Sequence, residues 1–328
     1  MSDAHYDYRC EDRSLVLRWL GAPLFMPIVR VLPRQLTPNQ ITLCGHACIW
    51  VSAAVALRSP GPETFVLLAL AFGYTSYNVA DTIDGMYARY SGQTSKLGEL
   101  LDHGLDPWGM ALVPLTYGIA LREPAWLILA STATVAYLQF LTFLHGYRVG
   151  HVILGEVGVI EGLGVAAAVC LAGALGGLNF LTRPLLFGVS WAGLLAIAFM
   201  AAAFPALLSM RGLLRHPGDM IPLALLIAAI LAWYAFGALG VPAAGLLILF
   251  TSAYEMIVVT SARLRRLTLA LWDPPFVAMT AGAAGASIAL GFGAGIQAGL
   301  AGVLIVYAFA RAAQLFFRTV AVAVMPRP

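Results

Sequence analysis

Ten apolar stretches divide this chain, each near the length that crosses about 30 Å of hydrocarbon. They run over roughly 41–57, 64–86, 98–121, 125–146, 159–178, 184–209, 219–237, 241–262, 274–293 and 295–318. Gly and Pro cluster between them, at Pro60-Gly61-Pro62, Gly176-Gly177, Pro217-Gly218 and Pro274-Pro275. Only 11% of the 328 residues are charged and 60% are hydrophobic, whereas soluble domains carry about 25% charged residues. Inside a bilayer every backbone N–H and C=O needs a partner within its own segment, which leaves the α-helix as the form for such stretches. The sequence therefore predicts an all-α fold, a polytopic membrane helix bundle of about ten transmembrane helices. No nucleic-acid partner is expected.

Ten crossings put both termini on one side. With the N-terminus cytoplasmic, the cytoplasmic segments hold 15 of the 19 basic residues, from Arg9 and Arg13 through Arg89, Lys96, Arg148 and Arg263 to Arg327. The opposite loops hold Arg58, Arg122 and Arg183, and Arg311 falls within the last stretch. That asymmetry fixes the orientation by the positive-inside rule. Residues 14–32 are apolar but broken by Arg18, Pro23, Pro27 and Arg30, which predicts an N-terminal amphipathic helix lying in the headgroup layer. The acidic and basic residues of the first dozen positions do not form a signal peptide. The four cysteines show no metal-ligand spacing. Residues 1–38 read as a cytoplasmic N-terminus, 39–210 as a catalytic core and 211–328 as C-terminal helices for packing or dimerisation. The 18 arginines against one lysine suggest a GC-rich genome, hence a bacterial inner membrane.

The charges inside the apolar stretches carry the functional reading. Asp81 and Asp84 lie i,i+3 near the cytoplasmic end of the second stretch, and Asp102 and Asp106 lie i,i+4 near the start of the third. Each pair shares a helix face. An uncompensated aspartate near a bilayer centre costs about 2.5–3.5 kcal/mol on insertion scales, and divalent cations are the simplest compensation for four of them. Two facing carboxylate pairs can hold two hard cations, an arrangement that suits attack on phosphorus. Gly85 and Gly98 let a diphosphate approach the backbone, and Arg89, one turn past Gly85, is placed to bind phosphate.

The residues Asp81, Asp84, Gly85, Ala88, Arg89, Gly98, Asp102 and Asp106 fill the pattern D-x2-D-G-x2-A-R-x8-G-x3-D-x3-D, which resembles the signature of the CDP-alcohol phosphotransferases. Leu97 to Gly104 (LGELLDHG), Leu36 to Leu43 (LTPNQITL) and Tyr8 to Leu15 are similar to segments of the choline/ethanolamine phosphotransferase branch. Leu101 and Leu105 depart from that branch's pattern. The similarity covers about residues 6–165. The resemblance implies transfer of phosphocholine or phosphoethanolamine from CDP-choline or CDP-ethanolamine to the hydroxyl of diacylglycerol, releasing CMP, by two-metal in-line displacement. It implies two Mg2+ or Mn2+ ions on Asp81, Asp84, Asp102 and Asp106. Gly85, Ala88 and Arg89 would line the CDP site together with Asp81, Asp84 and Gly98, and Asn39 would join from the entry segment.

The base is either Asp106 or His103. A metal-bound carboxylate is a weak base, while an imidazole beside cations stays neutral and can accept a proton, so chemistry favours His103. The alternative is that His103 only orients Asp102. Glu161 resembles a branch glutamate that faces the active site, and equally suits a helix N-terminal acid. The same signature serves a neighbouring reaction, in which CDP-diacylglycerol is the donor and a soluble alcohol the acceptor. A transporter would show broken helices and internal repeats, and the sequence has no repeat. Tyr77, Tyr87 and Trp108 near the signature read as packing or belt residues, and His46 as a core histidine bonded to a neighbour. Glu255 and Arg311 lie about 12 Å deep in the eighth and tenth stretches and are expected to pair. The small-residue run Gly282 to Gly302 suits close packing within the bundle or across a homodimer.

Overall fold

The computed structural model describes residues 10–324 apart from 151, 156, 266, 268, 270 and 272. Tyr8 and Arg9 of the N-terminal resemblance, and Arg266 and Arg327 of the charge asymmetry, lie outside the described residues. The chain forms an all-α bundle with two small two-stranded pairings. A short strand β1 (Cys10–Asp12) leads into α1 (Leu15–Leu20), a wide helical turn over Gly21–Phe25, and α2 (Met26–Val31). Then follow α3 (Pro38–Arg58), α4 (Thr64–Ser91), α5 (Lys96–Met110), α6 (Leu112–Ala120) and α7 (Ala125–Val149). Strand β2 (Val152–Leu154) runs parallel to β1, with Cys10 opposite Val152. The chain continues through α8 (Val159–Ala172), α9 (Leu178–Leu181), the hairpin β3 (Pro184–Leu186) and β4 (Val189–Ser190), and α10 (Trp191–Ser209). It ends with α11 (Pro217–Phe236), α12 (Val241–Arg265), α13 (Pro274–Leu290) and α14 (Ala294–Thr319).

Six described helices are long and apolar enough to cross a bilayer: α3, α7, the run from α8 to α9, α11, α12 and α14. Each of the other four apolar stretches is helical but departs from a plain span for a visible reason. Helix α4 mixes Tyr74, Ser76, Tyr77, Asn78 and two aspartates into its apolar run. The third stretch divides at Ala111 into α5 and α6. Residues 184–190, expected to begin a helix, form the hairpin instead, with Phe187 and Gly188 at positive φ. That leaves α10 with an apolar stretch of Trp191–Ala202, and α13 stops after 17 residues at Gly291, whose φ is 63°.

Local chemistry sets the helix ends that matter for the site. Thr37 and Gln40 form a capping box at the start of α3, each side chain bonded to the other's backbone N–H. Helix α4 stops at Gly92, whose φ of 71° suits the left-handed C-cap. Ser95 then caps α5 by accepting from the Gly98 N–H at 3.0 Å. Helices α3 and α4 approach most closely where glycine removes a side chain. A Cβ on Gly45 would sit 2.5 Å from the Ala80 Cβ, and one on Gly73 would sit 2.0 Å from the Ser52 Oγ. The glycines of the Gly282 to Gly302 run behave differently: a Cβ on any of them would meet nothing within 4 Å. Close packing inside this chain is therefore not what they provide.

The N-terminal helices have two faces. Phe25 and Val29 are buried in a cluster with Ile41, Ala80, Ile83 and Tyr87, while Leu15, Trp19, Leu20, Leu24 and Val31 are exposed. The C-terminal helices pack on the core through α12, which lies against α5, α7 and α14. Two ion pairs, each with a buried carboxylate, tie them. Arg263, in the last turn of α12, pairs with Glu99 of α5. Arg311 of α14 pairs with Asp273 at 3.2 Å, and this corrects the expected Glu255–Arg311 pair. Asp273 wins the arginine because it stands at the N-terminus of α13, where it also accepts from the Phe276 N–H at 3.2 Å, the Tyr254 hydroxyl at 3.0 Å and the Tyr307 hydroxyl at 3.2 Å. Glu255 is buried, with Oε2 unpaired among the described residues.

Burial works to raise the Asp273 pKa, but the Phe276 amide, the two tyrosine hydroxyls and Arg311 outweigh it and hold the carboxyl below its ordinary value. A group with a depressed folded-state pKa stabilises above its unfolded pKa, near 3.9 for Asp, and that contribution fades as pH falls through the folded value. Asp273→Asn should therefore lower the unfolding midpoint in detergent most at neutral pH, and the gap from the unmodified protein should close as pH drops below about 4. A gap constant with pH would contradict the ion-pair account. Removing Arg263 leaves Glu99 buried and uncompensated, which costs about 3–5 kcal/mol. Arg263→Ala should thus be strongly destabilised in thermal unfolding, and adding Glu99→Gln should recover most of the loss.

Candidate active site

The second half of α4 faces α5, and their aspartates meet. Carboxylate oxygens of Asp81, Asp102 and Asp106 all lie within 4.8 Å of one another. Asp106 is buried and the other two are half-buried. Asp84, expected in the same set, is buried one helical turn from Asp81 but is engaged elsewhere. Its Oδ2 accepts a short hydrogen bond from the Thr42 hydroxyl of α3, and its Oδ1 accepts from the Gly85 N–H. Three of the four aspartates thus converge, and the fourth stands beside them, tied to α3.

Like charges this close repel by roughly 3 kcal/mol per pair at an effective dielectric of about 20. Arg89, at the end of α4, is the nearest cation on that helix, and its Nη1 lies 3.4 Å from where a Cβ on Gly85 would be. One guanidinium does not balance four carboxylates. An oxygen-only donor set of this charge fits hard divalent cations such as Mg2+ or Mn2+.

His103 is buried on α5, its Nε2 3.8 Å from Asp102 Oδ2 and its ring edge-on to Phe143 with centroids 4.7 Å apart. A cavity of about 490 Å³ opens beside these groups. Asp81, Asp84, Gly85, Arg89, Asp102, His103 and Asp106 line its polar end. Val159, Leu163, Ala166, Leu195, Phe199 and Met200, from α8 and α10, line its apolar wall. The chamber can therefore hold a substrate with a charged end and a greasy body. Ala88, Gly98 and Asn39 lie off the lining. Asn39 and Gly98 meet at the junction of α3 and α5, with Asn39 Oδ1 3.3 Å from a Cβ position on Gly98.

Glu161 also lines the cavity, and its carboxylate is occupied. Oε1 accepts from the Ser14 hydroxyl at 2.7 Å and the Val16 N–H at 3.0 Å, and Oε2 accepts from the Gly158 N–H at 2.9 Å. It caps α8 and fastens the start of α1 over the cavity, where Ser14 and Leu17 join the lining.

Sequence reasoning gave His46 a structural place but missed which groups it serves. Its Nδ1 donates to the Thr42 carbonyl at 2.9 Å, and its Nε2 lies 3.9 Å from Asp106 Oδ1. The Tyr77 hydroxyl donates to that same Oδ1 at 3.0 Å. Thr42 and His46 are i,i+4 on α3, a spacing that shows a shared face but not what the face meets. Tyr87 and Trp108 are buried packing residues, as expected, whereas Tyr77 is buried and also bonded to the acidic group.

A profile of the CDP-alcohol phosphatidyltransferase family matches residues 35–251, well over half of the chain. The chain is 34% identical over 119 residues to choline/ethanolaminephosphotransferase 2 of Arabidopsis thaliana, covering 34% of this chain and 30% of that one. It is 35% identical over 106 residues to choline/ethanolaminephosphotransferase 1 of Saccharomyces cerevisiae, covering 31% and 27%. It is 31% identical over 175 residues to CDP-diacylglycerol–serine O-phosphatidyltransferase of Encephalitozoon cuniculi, covering 49% and 45%. The matched stretches thus span less than half the length of these relatives. All three come from eukaryotes, which lends a bacterial source no support. With its helical bundle, its apolar spans and its aspartate signature, the chain is an integral membrane protein that belongs to the CDP-alcohol phosphatidyltransferase family.

Proposed function

We propose that this protein transfers phosphocholine or phosphoethanolamine from the matching CDP-alcohol to the hydroxyl of diacylglycerol. The observation that carries this reading is the cavity that joins three converging aspartates to an apolar wall. It offers one end for a nucleotide diphosphate and another for acyl chains. The names of the Arabidopsis and yeast relatives support the donor and head group, as does the LGELLDHG segment. The microsporidian relative keeps the second reading open, with CDP-diacylglycerol as donor and a soluble alcohol as acceptor. We read all ten helical stretches as crossing the membrane, with the site at the cytoplasmic face and α1 and α2 in the headgroup layer.

Asp81, Asp102 and Asp106 would hold divalent cations, with Asp84 alongside. Such cations, when bound, neutralise charge on the entering and leaving oxygens of a displacement at phosphorus. Arg89, over Gly85, binds the diphosphate. Asn39 and Gly98 shape the neighbouring edge of the nucleotide site, with Ala88 behind it. The diacylglycerol hydroxyl attacks the phosphorus that bears the alcohol. The bond to the CMP phosphate oxygen breaks, and His103 Nε2 takes the hydroxyl proton. Burial beside Phe143 keeps the ring from bulk water, and Asp102, with Oδ2 3.8 Å from that nitrogen, would stabilise the imidazolium once the proton arrives. Glu161 holds the N-terminal segment over the cavity, so its part in catalysis is to close the chamber.

Membranes carrying the protein should form phospholipid from diacylglycerol with labelled CDP-choline or CDP-ethanolamine, and lose the activity on chelation of divalent cations. Product only from CDP-diacylglycerol and a free alcohol would move the assignment to the second reading. Asp102→Asn should abolish turnover while leaving the unfolding profile in detergent intact. His103→Ala should cut kcat by roughly 10²–10⁴. A decrease below about threefold would remove His103 as the base.

A further inference from the structure

The carboxylates that meet between α4 and α5 are backed by side chains which the cavity does not reach. Tyr77 is fully buried, one turn before Asp81 on α4. Its hydroxyl points across to α5 and donates to Asp106 Oδ1 at 3.0 Å. Gly109 of α5 makes room for it, since a Cβ there would lie 3.1 Å from the Tyr77 Cζ. His46 closes the slot edge-on, with ring centroids 4.9 Å apart. A carbonyl oxygen can only accept, so the 2.9 Å contact to Thr42 O requires the hydrogen on His46 Nδ1 and fixes the ring. The same Thr42 turns its hydroxyl to Asp84 Oδ2. One turn of α3 thus supports one aspartate of each pair, Asp84 directly and Asp106 through the ring that wedges Tyr77.

We propose that Tyr77 and Thr42 are positioning residues, which fix the planes of the Asp106 and Asp84 carboxylates so that the acidic group accepts divalent cations at low concentration. The inference rests on the cation-dependent reading of the site given above. Neither residue touches substrate. A carboxylate free to rotate must be ordered when an ion arrives, and that ordering weakens binding. A hydroxyl already bonded to one oxygen supplies the order in advance, in the way that outer partners hold metal-ligating side chains. Loss of such a partner typically lowers metal affinity or activity by about 10–100-fold. Packing alone would not act this way, because Tyr77→Phe keeps the ring in its slot and removes only the hydroxyl.

The test uses the full chain purified in detergent, with Mn2+ as the probe. Binding is read directly from the electron paramagnetic resonance signal of free Mn2+, with no turnover required. Unmodified protein should bind Mn2+. Tyr77→Phe and Thr42→Val should each raise the apparent dissociation constant by about 10–100-fold, while Thr42→Ser, which keeps the hydroxyl, should stay within about threefold of the original. Thermal unfolding in metal-free buffer should remain cooperative for all three. In the lipid assay the Mg2+ concentration for half-maximal rate should rise with the Mn2+ constant, while KM for the CDP-alcohol at saturating Mg2+ stays unchanged. Unchanged Mn2+ affinity in both Tyr77→Phe and Thr42→Val overturns the proposal, as does equal weakening in Thr42→Ser and Thr42→Val. Unmodified protein that binds no Mn2+ overturns both the proposal and the cation-dependent reading. Unmodified protein that binds Mn2+ and variants that bind it weakly, with no turnover of any CDP-linked donor, sustain the proposal and sink the proposed reaction instead.

Discussion

Mutual repulsion among acidic side chains inside a membrane bundle is the constraint on which the rest of this structure depends. Three carboxylates with oxygens within 4.8 Å of one another would separate if the helices that carry them could move. They are held in place: α3 packs closely on α4 at Gly45 and Gly73, where any larger residue would overlap its neighbour, and α5 packs against α3 and α12. Interiors packed at this density resist displacement and hold strain locally. The bundle therefore maintains a charge density that a bound divalent cation would relieve.

The remainder of the chain secures this pocket from outside. At the N-terminus, β1 pairs with β2 and Glu161 takes hydrogen bonds from Ser14 and Val16, so the first helix is docked where the chamber opens. At the C-terminus, Arg263 reaches back to Glu99, three residues before Asp102 on the same helix. Beyond that contact, Asp273 joins α12, α13 and α14 through two tyrosines and Arg311. Glu161 and Asp273 are each a charged group with several partners. In a low-dielectric interior this is the condition under which a buried charge stabilises rather than costs.

Much of this was legible in the sequence, because it depended on local pattern. Apolar length and Gly/Pro punctuation located the six helices long and apolar enough to cross a bilayer, and helices within each of the other four stretches. The i,i+3 and i,i+4 spacings identified the aspartates that share a face. What the sequence could not supply was the partner across the helix. Arg311 could be seen to need an anion, and Glu255 lay at a matching depth. The choice went to Asp273, since a side chain at a helix N-terminus gains a backbone N–H as well as the arginine. The hairpin at 184–190 was hidden for a similar reason. Its apolar residues extend the stretch seamlessly, but Ser190, which donates to Glu123, caps α10 there by accepting from the Gly193 N–H. Glu161 was visible as an acid at a helix start, yet its bonds to Ser14 and Val16 bridge residues 145 and 147 apart.

Helix α3 shows most plainly why spacing alone underdetermines a site. It contributes no aspartate and stands off the chamber, and its mid-span His46 looks like an ordinary core histidine. Its side chains nonetheless meet both acidic helices, because α3 packs against α4 and α5 together. A residue such as Thr42 can bond one neighbour through its hydroxyl and pass a second bond to His46 through its carbonyl. The groups that bear the chemistry are legible because they repeat along one helix. The groups that aim them are set by how three helices cross, and only the folded bundle brings them together.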